Sequence, residues 1–166
     1  KNKFEYAGAA GGFIDKYGYP FCRGRIFDTC EEDNGQYNQS GEIFWASGAC
    51  LFVKADVFHN VGGLDVDFFA HMEEIDLCWR LKNLGYKIGY CAERSVYHVG
   101  GGTLNKSNPK KPFLNFRNNR VLLHKNLSAP ALKAIERKRN YLDAIAWFKA
   151  AITGNSEEAK AIKSAI

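Results

Sequence analysis

Long apolar runs, paired cysteine motifs and a secretion signal are all missing from this chain of 166 residues. No run of 18 apolar residues is present, so the sequence lacks the usual signature of a membrane-spanning helix. The five cysteines are odd in number and include no C-x-x-C pair. This pattern disfavours a disulfide framework and zinc-finger spacing, and it predicts reduced thiols in a cytosolic protein.

A phosphate-binding glycine loop is missing as well. The glycines from Gly8 to Gly12 follow no predicted strand, and no Lys-Ser or Lys-Thr comes after them. Residues 1–41 show no regular periodicity, and we expect them to form a long ordered loop. Since the first residue is Lys1 rather than Met, we expect the natural start of the protein to lie upstream.

The net charge of +5 is compatible with phosphates, nucleic acid or a membrane surface as partners, and it does not choose among them. The basic residues are scattered and match no nucleic-acid-binding motif, so we predict no nucleic-acid partner.

The most informative stretch, residues 71–81, is predicted to be a helix. Acids in its first turn and bases further on complement the helix dipole, and Gly85 supplies a stop signal. Asp76 and Arg80 should pair on its more exposed side. This pattern would make a stable helix even without a functional role.

Glu74 shares a helix face with Leu77, Cys78 and Leu81, because residues three and four apart lie together. We expect this face to be buried. A carboxylate in register with an apolar stripe is costly unless it lines a cavity or has partners. Glu74 is therefore either a general base or a structural carboxylate. Glu73 lies about 100° further round the helix and points elsewhere.

Two patterns used by metal sites occur near this helix. His98 ends a predicted strand at 95–99, beside three glycines, and fits either a metal ligand or a hydrogen-bonded structural residue. Asp65-Val66-Asp67 matches the D-x-D pattern, yet it lies in a glycine-rich turn where Asp is common as a cap.

Small residues at 46–49 follow a predicted strand at 43–45. They would let a ligand approach the backbone or let two elements pack closely. Residues 49–53 suit a buried strand or the start of a helix, and residues 86–91 alternate like a strand.

Two helices are predicted in the last third of the chain. The first, from residue 113, places Arg117 and Arg120 three apart beside Asn118, which fits either diphosphate binding or a solvated basic face. The second begins at Pro130 and either packs on the domain or lies on anionic lipid. Its predicted apolar stripe consists of Leu132, Ile135, Leu142, Ile145, Phe148 and Ile152.

Six segments occur in an order that strongly resembles the C-terminal half of family 2 glycosyltransferases, the inverting GT-A enzymes that include bacterial rhamnosyltransferases. They are Trp45 to Cys50, Gly62 to Asp65 with Phe68 and Phe69, Glu73 to Leu81, Gly85 with Tyr86, Val96 to His98, and Arg117 with Asn118. The resemblance covers residues 40–125 closely. It rests on the order of the segments, since none of them is specific alone.

The resemblance implies an α/β/α sandwich around a mixed, mostly parallel sheet, followed here by C-terminal helices. It implies a nucleotide-diphosphate sugar donor, a saccharide or lipid-linked acceptor, and usually Mg²⁺ or Mn²⁺. The pair Glu73 and Glu74 matches the family's Glu-Asp motif, which makes Glu74 the catalytic base where Asp is usual. His98 matches a His that helps to hold the metal on the diphosphate.

Substrate contacts are implied in two further segments. Trp45, Ser47, Gly48 and Ala49 match the wall near the donor sugar and acceptor, and Arg117 and Asn118 match a segment near the diphosphate. The turn containing Asp65-Val66-Asp67 aligns outside the family's metal motif.

The nucleotide-binding half of the family, with its own D-x-D motif, has no counterpart upstream of residue 40. We therefore interpret residues 1–126 as the acceptor-side, catalytic half of a GT-A domain and residues 127–166 as amphipathic helices. We expect this fragment to be inactive alone, and an exposed sheet edge would favour a homodimer. The expected location is the cytoplasm, with peripheral contact at the inner face of the membrane and a role in cell-surface polysaccharide synthesis.

A non-catalytic carbohydrate-binding module is the alternative. It would account for Tyr17, Tyr19, Trp45 and Trp79 without any chemistry. It predicts sugar binding without nucleotide or metal, and it predicts no effect of the Glu74→Gln substitution.

Overall fold

The computed structural model describes residues 3–4, 10–26, 29–96, 108 and 110–166. The chain divides into two compact units, Lys1–Asp65 with Glu73–Gly100 and Val66–Met72 with Gly101–Ile166. The fold is mixed α/β, as predicted. The described strands form two small sheets in which every pair is antiparallel, so the expected parallel sheet is not found in this part of the chain.

The first unit opens with a meander of four short antiparallel strands. These are β1 (Gly12–Ile14), β2 (Pro20–Cys22), β3 (Arg25–Ile26) and β4 (Thr29–Cys30), which pair in that order. The Asp15 carboxylate stabilises the first turn by accepting from the amides of Tyr17 and Tyr19, at 2.8 Å each. The prediction of a loop here was wrong, because strands of two or three residues are too short to show an alternating pattern.

The second sheet of this unit pairs β5 (Gly41–Ile43) with β6 (Ile88–Tyr90), with Ile43 opposite Ile88. The strand β6 confirms the prediction at 86–91, and β5 begins two residues before the strand predicted at 43–45. Residues 49–53 form neither strand nor helix, and the side chain of Phe52 is 93% exposed. Of the strand predicted at 95–99, Ser95 and Val96 are not in a strand, and the remainder lies outside the described residues.

Two helices complete the first unit, α1 (Ala55–Asn60) and α2 (Glu73–Asn83). The helix α2 confirms the helix predicted over 71–81, and its face carrying Leu77 and Cys78 is fully buried. Gly85, at φ +86°, ends it. The Tyr86 amide donates to the Leu81 carbonyl at 3.0 Å, which gives the helix end a Schellman geometry.

Asp76 pairs with Arg80 as predicted, but the expected exposure was wrong because Asp76 is completely buried. Arg80 Nε donates to Asp76 Oδ2 at 2.7 Å, and the two terminal guanidinium nitrogens donate to the carbonyls of Val61 and Gly63. The turn after α1 thus supplies main-chain acceptors for Arg80. These hydrogen bonds satisfy the buried ion pair, as its desolvation requires.

The second unit is helical, with α3 (Lys110–Asn126), α4 (Ala129–Ile152), α5 (Ser156–Ala165) and a short 3₁₀ turn at Val66–Phe68. The start of α4 beside Pro130 was predicted correctly. The apolar core of this unit comprises Phe68, Ala70, Leu114, Leu122, Leu123, Ala150, Ala159 and Ile162. Among the described residues, no helix combines the length and the apolarity needed to cross a membrane. The functional division after residue 126 stays a prediction.

Candidate functional site

Glu74 lies in the first turn of α2, with its side chain largely withdrawn from solvent. Burial and, less strongly, the negative charge of Glu73 raise the pKa of its carboxyl group from 4.5 to about 7. Backbone amides of Glu74, Gly48 and Ile75 donate to the carboxylate and offset part of this rise. The sequence-based expectation of a Glu in register with a buried apolar face is therefore confirmed in its geometry.

Both acids of the pair retain an unsatisfied oxygen. Within the described residues, Oε2 of Glu73 and Oε2 of Glu74 are buried and have no hydrogen-bond partner. A buried acceptor without a donor is costly, so a native structure that retains one commonly uses it. The pair could accept a proton or a hydroxyl hydrogen bond from a ligand.

The loop at 46–50 lies beside Glu74, so two segments that the sequence analysis singled out separately are brought together. A Cβ atom built on Gly48 would stand 3.9 Å from the Cβ of Glu74. Ser47, Gly48 and Ala49 are exposed. The Ser47 hydroxyl accepts from the Ala49 amide at 3.2 Å, which stabilises the turn. The small side chains leave the backbone of this loop accessible next to the carboxylate.

Trp45 occupies a different place from its neighbours in the loop. Its side chain is 8% exposed, and its indole Nε1–H donates to the Phe13 carbonyl at 2.9 Å. A Cβ on Gly12 would stand 2.0 Å from Trp45 Cε2, so the ring packs directly on the glycine backbone. In this structure Trp45 fixes β1 to the segment leading into the loop. Its predicted role as a wall for the sugar stays a prediction.

Two cysteine thiols of the first unit are close enough for the charge of Glu74 to affect them. Burial is the main cause that raises the pKa of Cys22 and Cys78, and the Glu74 carboxylate adds to the rise in both. Sequence reasoning placed Cys78 on this face but missed Cys22. No local signal could have found Cys22, because it comes from the meander, some fifty residues earlier.

Asn118 and Arg117 lie on α3 and contact the segment at residues 66–72 within the second unit. Asn118 is completely buried, and its Nδ2 donates to the carbonyls of Phe68, Ala70 and His71 at 2.8–2.9 Å. Arg117 donates to the Asp67 carbonyl at 2.8 Å and to Asn118 Oδ1 at 2.9 Å. Their diphosphate contact stays a prediction. In this structure both side chains donate hydrogen bonds to backbone carbonyls of residues 66–72.

The segment that Asn118 holds has an unusual backbone. Phe69, His71 and Met72 have φ values of 60°, 70° and 76°. These values lie in the left-handed region of the backbone, which residues other than glycine rarely adopt. Such conformations persist only where the surroundings enforce them, and they are frequent at functional sites. Glu73 follows Met72 directly in the chain. No sequence signal indicated this feature, since none of the three residues is glycine.

The expected metal ligand His98 lies outside the described residues, and so does the glycine run after it. In the described part of the chain, no three His, Cys, Asp or Glu side chains are grouped so as to hold a metal ion. This includes Asp65 and Asp67. The metal site implied by the resemblance stays a prediction.

Arg120, which the sequence paired with Arg117, lies in a separate network inside the second unit. Its Nη2 donates to Asp143 Oδ2 at 2.6 Å, and its Nη1 donates to Asn140. Arg139 pairs with the same carboxylate at 3.8 Å. Arg120 is thus a partner of a buried acid, and its side chain is not part of a solvated basic face. Diphosphate binding by Arg117 and Arg120 stays a prediction.

Comparison with curated proteins gives short matches to enzymes that transfer sugars. The chain is 41% identical over 56 residues to an N-acetylglucosaminyl-diphospho-decaprenol L-rhamnosyltransferase of Mycobacterium tuberculosis, covering 34% of this chain and 18% of the relative. It is 34% identical over 53 residues to the low-salt glycan biosynthesis hexosyltransferase Agl10 of Haloferax volcanii, covering 32% and 17%. It is 32% identical over 56 residues to the rhamnosyltransferase WbbL of Escherichia coli, covering 34% and 21%.

The matched stretch is glycosyltransferase-like. It spans about a fifth of the length of these relatives. No family model matches the chain, and no solved structure matches it significantly. The resemblance seen in the order of six segments is thus supported by three sugar transferases from bacteria and an archaeon.

Proposed function

We propose that this chain is the acceptor-side part of a family 2 glycosyltransferase with a GT-A fold. The intact enzyme transfers a sugar from a nucleotide-diphosphate sugar to a hydroxyl acceptor, with inversion at the anomeric carbon. Glu74 is the general base. The proposal extends the sugar-transfer activity named for the relatives to this chain.

The environment of Glu74 carries the proposal. A pKa raised to about 7 leaves a substantial ionised fraction near neutral pH while making the carboxylate a better proton acceptor than an ordinary Glu. One of its oxygens is buried and receives no hydrogen bond from any residue that the structure describes. The accessible backbone of Ser47, Gly48 and Ala49 lies alongside, where small residues leave room for a sugar ring.

The chemistry assigned to these residues is a single displacement. The Glu74 carboxylate accepts the proton of the acceptor hydroxyl as its oxygen attacks the anomeric carbon. The bond between that carbon and the diphosphate oxygen breaks on the opposite side, and the electron pair leaves with the nucleotide diphosphate. Glu73 tunes the reaction by raising the proton affinity of Glu74 through its charge.

The acceptor we propose is a saccharide, and a lipid-linked diphosphosugar is the preferred form. The Mycobacterium relative is named for N-acetylglucosaminyl-diphospho-decaprenol, an acceptor of this kind. A cytoplasmic enzyme at the inner membrane face, acting in polysaccharide synthesis, would meet such a substrate. A divalent cation belongs to the proposal for the intact enzyme. No described residue is assigned to it, and no step above depends on it.

A non-catalytic sugar-binding module is less well supported. Trp45 is buried with its indole N–H already bound. Trp79 packs edge-on against Phe44, with ring centroids 5.2 Å apart. Two of the four aromatic side chains that such a module would present to a sugar are thus used within the first unit.

The test uses the protein extended upstream to include a nucleotide-binding half. We expect Glu74→Gln to reduce the transfer rate by about 10²–10⁴-fold, the usual contribution of a general base, and to leave donor affinity nearly unchanged. Transfer is measured by release of nucleotide diphosphate, and donor binding by calorimetry. Glu42→Gln, an exposed acid of the same unit, is the matched control and should keep full activity. Turnover retained in Glu74→Gln would remove Glu74 as the base.

A further inference from the structure

The helix α4 buries two charged side chains and leaves four large apolar side chains exposed. The side packed into the second unit carries Arg139 and Asp143, which are 2% and 0% exposed. The outward side carries Tyr141, Ile145, Phe148 and Ile152, which are between 47% and 67% exposed. A helix that only needed to pack on its own unit would not leave four large apolar side chains in solvent.

The predicted apolar stripe of α4 was therefore wrong. Leu132, Ile135 and Leu142 lie on the partly buried side, while Ile145, Phe148 and Ile152 face outward. The six positions do not fall on one side of a helix with 3.6 residues per turn. The outward face contains Tyr141 in addition to Ile145, Phe148 and Ile152.

The four outward residues form a continuous apolar band. At 100° per residue they fall within about 60° of arc, and from the first to the last they span about 16 Å along the axis. Large apolar side chains clustered in this way mark a surface that contacts a partner or a membrane.

Basic side chains border this band on both sides. Arg137 lies about 40° to one side of Tyr141 on the helical wheel, and Lys138 and Lys149 lie about 60–80° to the other. The Nζ atom of Lys138 stands 5.4 Å from the centre of the Tyr141 ring. The acid Glu136 lies on the far side of the helix. Long basic side chains beside an apolar band can place their charges at headgroup level while the band enters the acyl region.

We propose that the outward face of α4, defined by Tyr141, Ile145, Phe148 and Ile152, lies on the surface of a bilayer that contains anionic lipid. The helix lies in the plane of the interface, since it lacks the apolarity to cross a membrane. A second copy of the chain is a poorer occupant, because a symmetric pairing of this face would bring the basic borders of two helices together. The proposal stands independently of the proposed transferase activity.

The test measures co-sedimentation of this chain with vesicles of phosphatidylcholine alone and of phosphatidylcholine with 30% phosphatidylglycerol, a composition chosen to supply about one anionic headgroup in three. We expect at least tenfold stronger binding to the anionic vesicles, weakened by salt. The double variant F148Q/I152Q should lose binding at least tenfold. The variant K138Q/K149Q should lose the preference for anionic vesicles.

The matched control is I26Q/L84Q, which removes two apolar side chains that are 64% and 65% exposed in the first unit. It should bind vesicles like the unsubstituted chain. Circular dichroism should show the same helix content in all variants, since every replaced side chain is on the surface. Equal loss in the control would overturn the proposal, as would absence of binding to both vesicles. A dimer in sedimentation equilibrium that F148Q/I152Q dissociates, without vesicle binding, would assign the face to a second copy.

Discussion

Replacing Glu74 by Gln should stabilise the first unit at high pH, although Glu74 is the proposed catalytic base. The folded state holds the carboxyl group at a pKa of about 7, against 4.5 when the group is in water. Folding therefore favours the protonated form. At 1.36 kcal/mol per pKa unit, ionisation of Glu74 in the folded protein lowers the free energy of unfolding by about 3 kcal/mol. Gln cannot ionise, so the variant does not lose this stability.

The pH dependence of this effect follows from the direction of the pKa change. Between the unfolded pKa and the folded pKa the folded state binds more protons, so the free energy of unfolding falls as the pH rises from about 4.5 to 7. Above that range the loss is complete. The advantage of Glu74→Gln should thus be less than about 1 kcal/mol at pH 5 and reach about 3 kcal/mol at pH 9.

Urea unfolding at each pH measures this difference. Trp45 and Trp79 lie in the first unit, so a Trp147→Phe background in both proteins restricts the fluorescence signal to it. The control Glu42→Gln should have the opposite sign, because hydrogen bonding to Lys82 lowers the pKa of Glu42. A gap for Glu74→Gln that does not change between pH 5 and 9, or a loss of stability at pH 9, would refute the reasoning.

Three further predictions concern the same structure. In the intact enzyme the transfer rate should rise with pH, with an inflection near pH 7 and a plateau above it. Glu73→Gln should move the inflection of this pH–rate profile to lower pH, because the charge of Glu73 raises the pKa of Glu74. An inflection that does not move would contradict this coupling between the two acids. Asn118→Leu should cost about 2–4 kcal/mol through the loss of buried hydrogen bonds. It should also accelerate hydrogen exchange of residues 66–72, whereas Asn115→Leu on the same helix should not. Gly12→Ala should lower the melting temperature and reduce the free energy of unfolding by about 1–3 kcal/mol, since the added Cβ would overlap the Trp45 ring. The control Gly41→Ala, which has open space around it, should change little. Equal effects of the two substitutions would refute the contact between Gly12 and Trp45.

The sequence by itself determined the features that depend on local patterns. The helix α2, its end at Gly85, the buried face with Leu77 and Cys78, the strand β6 and the start of α4 at Pro130 were all predictable. Each of them rests on periodicity or on a capping residue within a few positions. The order of six short segments also indicated the similarity to sugar transferases that the relatives support.

Only the tertiary structure decided how these features combine. Gly48 stands beside Glu74, the Arg80 guanidinium reaches the carbonyls of Val61 and Gly63, and Asn118 binds a segment about fifty residues earlier. Such contacts depend on which distant backbone groups meet, and no periodicity encodes that. The same reason explains the errors at Asp76 and along α4. Helical spacing defines which residues share a face, but the packing of the rest of the chain decides which face is buried.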